Sequence, residues 1–303
     1  MFYPLAGMIL LCVIWSGYWY FTFTKAKEFA ETQRQELLDK GLKLECAHEN
    51  WGGFPFRFEF QCEAASLQFT NAGETHGIQS TRILAVAQAY NPFHVLLLID
   101  GPSAVDGVKL NHERALVSLI AGNNGDWDLS SEAAKVDAAG LFSAAHVKLF
   151  ARRANDRLDL AASAEQLIVP TPDGSTLPIT TAEVIAQTSS AILDQPFHGP
   201  TAEEPLEIST LKILQDPIDF AAQGKIFLDP QHRLAGKLSS QTNDIDGLMK
   251  IISPIFNMNG QDGAAIRNLL AGPKTKIAKA DFTASDGALY WGLFKLADLA
   301  PLY

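Results

Sequence analysis

The sequence predicts a mainly β protein: an N-terminal transmembrane helix, then a large curved antiparallel sheet shaped as a half-barrel or groove, with a short helical pair near the C-terminus. Three observations carry this. Residues 1–24 hold no charged side chain, and the first cations, Lys25 and Lys27, arrive together. From Leu42 onward apolar residues fall at every second position, the period of a half-buried strand. Short apolar runs punctuated by Asn, Gly and Pro then recur along the chain, and helical spacing returns only in two segments beginning near Asn243 and Asp262.

The leading segment is long enough, at 1.5 Å per helical residue, to cross roughly 30 Å of hydrocarbon. Tyr3, Trp15, Tyr18, Trp19 and Tyr20 are of the aromatic types that gather near bilayer interfaces. The stretch after Leu11, from Cys12 to Phe21, is too bulky for a small-x-small cleavage site, so an uncleaved single-pass anchor is expected. Leu11 is also large where a small residue would precede an acylated cysteine, and Cys12 reads as an apolar filler. Lys25, Lys27 and Arg34 after the span favour a cytoplasmic body by the positive-inside tendency, although long domains are translocated despite such flanks. Residues 25–40 have good helix formers throughout, and Gly41 stands where a left-handed residue ends a helix.

Leu42, Leu44 and Cys46, then Phe54, Phe56, Phe58, Phe60 and Cys62, place apolar side chains at even positions, with Lys43, Glu45, Arg57, Glu59, Gln61 and Glu63 between them. Two antiparallel strands are expected about a turn at Trp51-Gly52-Gly53 with Pro55. Cys46 and Cys62 then face each other on the apolar side, either as two buried thiols or as a disulfide. An anchor that exports the body to an oxidising compartment favours the disulfide, and the disulfide in turn favours export.

The run Trp51-Gly52-Gly53-Phe54-Pro55-Phe56-Arg57, flanked by Cys46 and Cys62 and preceded by the aromatic-rich anchor, resembles the Gly-Phe/Tyr-Pro-Phe-Arg signature of the bacterial domain-of-unknown-function family 2125. Leu167-Ile168-Val169-Pro170 and the closing stretch from Asp286 to Gly292, with Pro301-Leu302, resemble that family as well, so the likeness covers nearly the whole chain. Its motifs, Gly53, Phe54, Pro55, Phe56 and Arg57 foremost, are structural. The resemblance implies an inner-membrane protein of the Gram-negative envelope, with the bulk of the chain in the periplasm and no assigned activity.

Further strands are expected at residues 66–70, 81–90, 94–100, 112–121, 145–153 and 157–170, separated by Asn91-Pro92, Gly101-Pro102, Asn123-Asn124-Gly125-Asp126 and Asn155-Asp156. Ile83-Leu84-Ala85-Val86-Ala87 and Val95-Leu96-Leu97-Leu98-Ile99 are apolar on both faces, so the sheet there is covered or lines a cavity. The Pro-rich acidic stretch 194–207 reads as a linker between a first β half, 42–193, and a second, 208–303. In the second half strands are expected at 208–215, 220–228, 233–240, 277–283 and 288–296. Asn243 or Asp244 caps a helix carrying Ile245, Leu248, Met249 and Ile252 and interrupted at Ser253-Pro254; Asp262 caps another with Ala265, Ile266, Leu269 and Leu270, stopped by Gly272-Pro273. His232 to Leu238 and Gly287 to Leu293 share a faint turn, strand, glycine, leucine order.

No motif identifies a reaction. The seven histidines stand singly, and none has a second at metal-binding helical spacing. Gly101-Pro102-Ser103 lacks the second glycine of a nucleophile elbow, and Gly122-Asn123-Asn124-Gly125 lacks the Lys-Ser/Thr of a phosphate loop. Asp126 with Asp128, and Asp244 with Asp246, sit at turn and helix starts and are read as caps. No catalytic residue, metal ligand or cofactor is therefore assigned, and the chain is expected not to be an enzyme. A net charge of −10, all of it beyond the apolar segment, disfavours nucleic acid. The expected partners are the membrane, through the N-terminal helix, and a lipid or another envelope protein. The primary expectation is an apolar β groove holding a lipid or other apolar ligand; the alternative is a self-covered structural or interaction module.

Overall fold

The computed structural model describes residues 3–39, 41–71, 74–171, 174–193, 199–256, 260–271 and 276–302. Among them lie three α-helices and seventeen strands, paired antiparallel wherever a register is defined, so the chain is mostly β as the period-two patterning requires. Two compact units divide it, Met1–Gly122 and Asn123–Tyr303.

The first unit opens with α1, Tyr3–Asp39, a single helix where the sequence suggests an anchor and a separate juxtamembrane helix. Nothing between Thr24 and Lys25 breaks helical geometry, so the apolar and charged halves run on through one axis about 55 Å long. It ends as expected: Gly41 is left-handed, at φ +79°, and its N–H donates to the Leu38 carbonyl. The apolar half of α1 is long and apolar enough to cross a membrane, and little of it is buried.

The expected two-strand hairpin is a three-strand arrangement. Strands β1, Leu42–Glu45, and β2, His48–Gly52, lie in series along one edge of β3, Arg57–Asn71. The register runs from Leu42 opposite Phe69 to Gly52 opposite Glu59 without a slip. The expected strand from Phe54 begins only at Arg57, because residues 53–56 are consumed by the turn, and it absorbs the separate strand expected at 66–70. Ala64, at φ +48°, switches the inward parity: Phe58 and Cys62 are buried before it, Ala65 after it. Strand β4, Glu74–Gln88, pairs β3, and β5, Asn91–Val105, pairs β4. Strands β6, Val108–Asn111, and β7, Ala115–Ala121, share the other edge of β5. The turn expected at Asn91-Pro92 falls two residues earlier, at Ala89-Tyr90, so that Asn91 and Pro92 open β5, whereas Gly101-Pro102, expected as a turn, lies inside β5 where its register with β4 shifts.

The second unit is a meander in which each strand pairs with the next: β8, Trp127–Ala138; β9, Phe142–Ala154; β10, Arg157–Pro170; β11, Thr176–Ser189; β12, Leu206–Gln215; β13, Ile218–Leu228; β14, Leu234–Thr242; β15, Ala278–Ser285; β16, Ala288–Trp291; and β17, Phe294–Asp298. Strands β8 and β11 are not among the sequence expectations. Their Ala, Ser and Glu residues interrupt the strand-favouring Thr, Val and Ile and blur the alternation, and pairing on both sides of β11 supplies what the local pattern does not. The single strand expected at 288–296 is split by a turn, with Gly292 at φ +61°, whereas Gly236 lies inside β14; the faint echo between the two stretches therefore corresponds to no structural repeat. Residues 194–198 of the expected linker lie outside the described residues, as does the Gly272-Pro273 stop.

Helices α2, Ile245–Ile255, and α3, Gly260–Ala271, lie between β14 and β15 in the chain, and those two strands still pair with each other. Asp244 caps α2, its carboxylate accepting from the Gly247 N–H at 3.2 Å. The expected interruption at Ser253-Pro254 is absent: the proline falls in the final turn. Asp262 lies within the first turn of α3 instead of capping it. Ile245, Leu248, Met249, Ile252 and Ile266 enclose a core with Phe220, Ala222, Ala278, Trp291 and Leu296. Trp291 is 1% exposed, stacks on Phe282 at 5.3 Å and donates to the Ser240 hydroxyl. Gly236, at φ +129°, lets β14 approach β13 so closely that any side chain there would strike the Lys225 carbonyl.

Candidate functional site

Residues 53–57 lie against α1. Gly53, at φ +105°, turns the chain so tightly that a Cβ would meet the Arg57 carbonyl, and the Arg57 N–H donates back to Gly53. This turn exposes the Pro55 and Arg57 carbonyls to α1. The Trp15 indole donates to Pro55 at 2.9 Å and the Trp19 indole to Arg57 at 3.2 Å. Trp19 is only 8% exposed; it stacks on Phe23 at 4.6 Å and meets Phe54 edge-on at 5.2 Å. Phe58 and Ala89 complete this cluster, and Trp51 lies against both Phe23 and Phe60. Farther along the same helix Arg34 binds the Glu49 carboxylate and the Leu44 carbonyl, each at 2.8 Å. Trp15, Trp19, Phe23 and Arg34 are spaced by about three or four residues or multiples of them, the repeat that keeps one helical stripe against one surface.

Cys46 and Cys62 form a disulfide across the break between β1 and β2, with Cα atoms 5.2 Å apart. In the ladder Cys62 is opposite Glu49, not Cys46, so the bond reaches diagonally from the irregular residues 46–47 to β3. It ties the edge carrying Trp51 and Glu49 to the strand carrying Phe58. Cys12 is a free, exposed thiol on α1.

From Phe58 an apolar face extends across four strands. Directly paired residues share a sheet face, and the pairings define three rows: Phe58, Ala87, Val95 and Leu119; Phe60, Ala85, Leu97 and Val117; Cys62, Ile83, Ile99 and Ala115. All twelve are apolar, and apart from Phe58 and Cys62 they are half-buried. The opposite face is mixed: beside Leu84, Leu98 and Leu116 it bears Glu59, Gln61 and Glu63, and the Arg82–Asp100–Arg114 cluster. Arg114 and Arg82 hold Asp100 below its ordinary carboxylate range, against the opposing effect of burial.

The second unit differs. One side of β13–β15 is filled by α2 and α3, and the other carries a shallow depression of mixed lining, with Lys212, Gln223, Gln241, Lys279 and Asp281 beside Ala221. The residues weighed for chemistry are dispersed. His76 binds Asp106 at 2.9 Å, His94 binds Ser118 at 2.8 Å, and the Ser103 hydroxyl meets His112 Nε2 at 2.9 Å. That serine–histidine pair joins β5 to the loop after β6, and its His112 Nδ1 faces the Glu113 backbone carbonyl. Asp126 receives the Asn155 N–H, Asp128 pairs with Arg152, and Asp246 pairs with Arg267. Among the described residues no three His, Cys, Asp or Glu side chains are grouped to hold a metal ion.

Residues 19–300 match the family described as an uncharacterized protein conserved in bacteria, DUF2125. No curated protein matches the chain.

Proposed function

The chain belongs to the DUF2125 family of bacteria, and on that premise we propose a single-pass inner-membrane protein with its body in the periplasm, whose first unit holds an acyl chain or similar apolar ligand on the sheet face beside the anchor. The three apolar rows running from Phe58 carry this reading, since they continue the apolar surface of α1 and remain half-buried. An alkyl chain laid along them displaces water at about 25 cal/mol per Å² without any fixed headgroup contact. The Cys46–Cys62 disulfide supports an oxidising compartment, and it outweighs Lys25, Lys27 and Arg34, which alone favour a cytoplasmic body. No residue is assigned a catalytic role.

The filled core of the second unit and the shallowness of the depression on its other face support its use as a structural or protein-contacting module. Mass spectrometry of molecules retained by the purified full chain tests the ligand. Acyl lipids retained by the wild type and lost from Leu97→Gln with the disulfide intact are expected. Equal retention by both proteins overturns the groove reading.

A further inference from the structure

We propose that the loops at one end of the first unit, residues 53–57 and 89–93, are immersed in the interfacial layer of the bilayer that α1 crosses, so that anchor and body enter the membrane together. The inference rests on the anchor part of the functional reading and is independent of the groove.

The level of the loops along α1 supports it. Trp15 is tied to Pro55, and Trp19 to Arg57, yet the first charge on the helix is Lys25. Ten residues separate Trp15 from Lys25, about 15 Å along the axis. Over that length one side of α1 meets the body while Tyr18, Tyr20 and Phe21 are exposed. Those side chains are satisfied by hydrocarbon or the interfacial layer, and the loops docked on the other side of the same turns then lie at the same depth.

The surface of the loops agrees. The Ala89 N–H donates to the Phe56 carbonyl, which joins the two loops side by side. Phe54 is 58% exposed, Phe56 63%, Tyr90 69% and Phe93 67%, and Ile120 at the end of β7 is exposed beside them in the ladder, opposite His94. Bulky aromatic side chains projecting together from adjacent turns suit the water–hydrocarbon boundary, where apolar rings are buried and polar edges stay hydrated. Arg57, the cation of this end, is exposed and paired with Glu59 at 2.5 Å, a position fit for the headgroup layer. The opposite end of β4 and β5 has a different character: His76 and Asp106 pair there, and Lys109 is exposed. A soluble partner protein would not require the patch to share the level of the apolar helix, whereas a bilayer does.

Spin labels on the full chain in phosphatidylcholine–phosphatidylglycerol vesicles test this. Labels are placed at Phe56→Cys, Phe93→Cys and Lys109→Cys in a Cys12→Ser background, and at native Cys12 in the wild type; Cys46 and Cys62 are blocked by their disulfide. Phe93→Cys serves where loss of the Phe56 ring disturbs docking of Trp15. Collision with oxygen and with a water-soluble nickel chelate reports the surroundings. Labels at 56 and 93 are expected to resemble Cys12, with a ratio of oxygen to nickel collisions several-fold above that at 109. Lipid-like behaviour at Cys12 with water-like behaviour at 56 and 93 overturns the immersion and leaves the anchor standing. Water-like behaviour at all four sites overturns the anchor as well. Labels at 56 and 93 shielded from both reagents indicate a protein cover and also overturn the proposal.

Discussion

Truncating Trp19 to alanine should undock α1 from the sheet without unfolding the second unit. A tryptophan buries roughly 150–250 Å², which at about 25 cal/mol per Å² corresponds to about 4–6 kcal/mol. Trp19 is 8% exposed, so nearly all of that applies, and the Arg57 carbonyl also loses its indole donor. Phe23 and Phe54 close part of the gap, and some of the freed surface meets lipid, which places the expected cost near the lower end of tryptophan truncations, about 3 kcal/mol. At 1.4 kcal/mol per decade this is a rise of roughly a hundredfold in local opening. Hydrogen exchange of the micelle-embedded full chain reads it at the amides of β2, of β3 near Phe58 and of residues 26–34 of α1. Trp19→Phe keeps most of the ring and loses the N–H donor, so a cost of about 1 kcal/mol and roughly fivefold faster exchange are expected. Amides of β13 and β14 serve as the internal reference. Unchanged protection of β2, β3 and α1 in Trp19→Ala refutes the idea that the aromatic stripe holds the helix to the sheet.

Other perturbations separate the remaining interactions. The Cys46–Cys62 bond closes a loop of sequence separation 16; removing it with Cys46→Ser and Cys62→Ser should cost about 3 kcal/mol, seen as a lower denaturation midpoint for the first unit that reducing agent reproduces in the wild type. In the second unit, Trp291→Ala opens the core between the sheet and its two helices and should cost about 3–5 kcal/mol, with protection lost in β15 and α2 and retained in β3. Gly236→Ala drives a methyl group into the Lys225 carbonyl and should separate β13 from β14, measured as lost protection of their paired amides. Arg114 and Arg82 depress the Asp100 pKa, so this cluster contributes stability that is present above the ordinary carboxylate value of 3.8 and is lost as pH falls through the lower folded value. The stability of the first unit, followed by denaturation from pH 7 to pH 2, should therefore fall in the acid range. Asp100→Asn should be less stable at pH 7 and flatter below pH 4; an identical acid slope would show that other groups carry the pH dependence.

Local chemistry made much of the fold legible. Glycine at 41 ends α1 because the needed φ is positive, alternating Phe58, Phe60 and Cys62 demand a half-buried strand, and the stripe of Ile245, Leu248, Met249 and Ile252 demands a covered helix. The boundaries obeyed longer-range demands. Gly101-Pro102 carries strong turn chemistry, yet β5 runs through it: ladders on either side, with β7 over residues 94–99 and with β6 over 103–105, carry the strand past an irregularity in its register with β4, whereas Asn91-Pro92 directly follows a turn at Ala89-Tyr90 and opens the strand. Strands β8 and β11 were silent for another reason: their Trp, Val, Ile and Thr residues are interspersed with Ala, Ser, Glu and Gln without a sustained alternation, and ladders on neighbouring strands that no local window contains supply the rest. The Ser103–His112 contact and the Arg82–Asp100–Arg114 cluster likewise join residues brought together by register alone.

Residue chemistry read along the chain was enough to establish the charge-free helix, the β character of the residues beyond it, and a turn near Gly53 and Pro55, because each depends on a side chain's own shape, polarity or backbone freedom. It left Cys46 and Cys62 open between thiols and a disulfide and put Trp51 and Gly52 in the turn, where the fold has the disulfide and keeps both residues in β2. It took the folded arrangement to set this turn against Trp15 and Trp19, to bring twelve apolar residues from four strands onto one face, and to fill the sheet of the second unit with two helices. Those outcomes depend on which surfaces meet after the chain has closed long loops, and the energy that selects them comes from burial and hydrogen bonding between segments far apart in sequence.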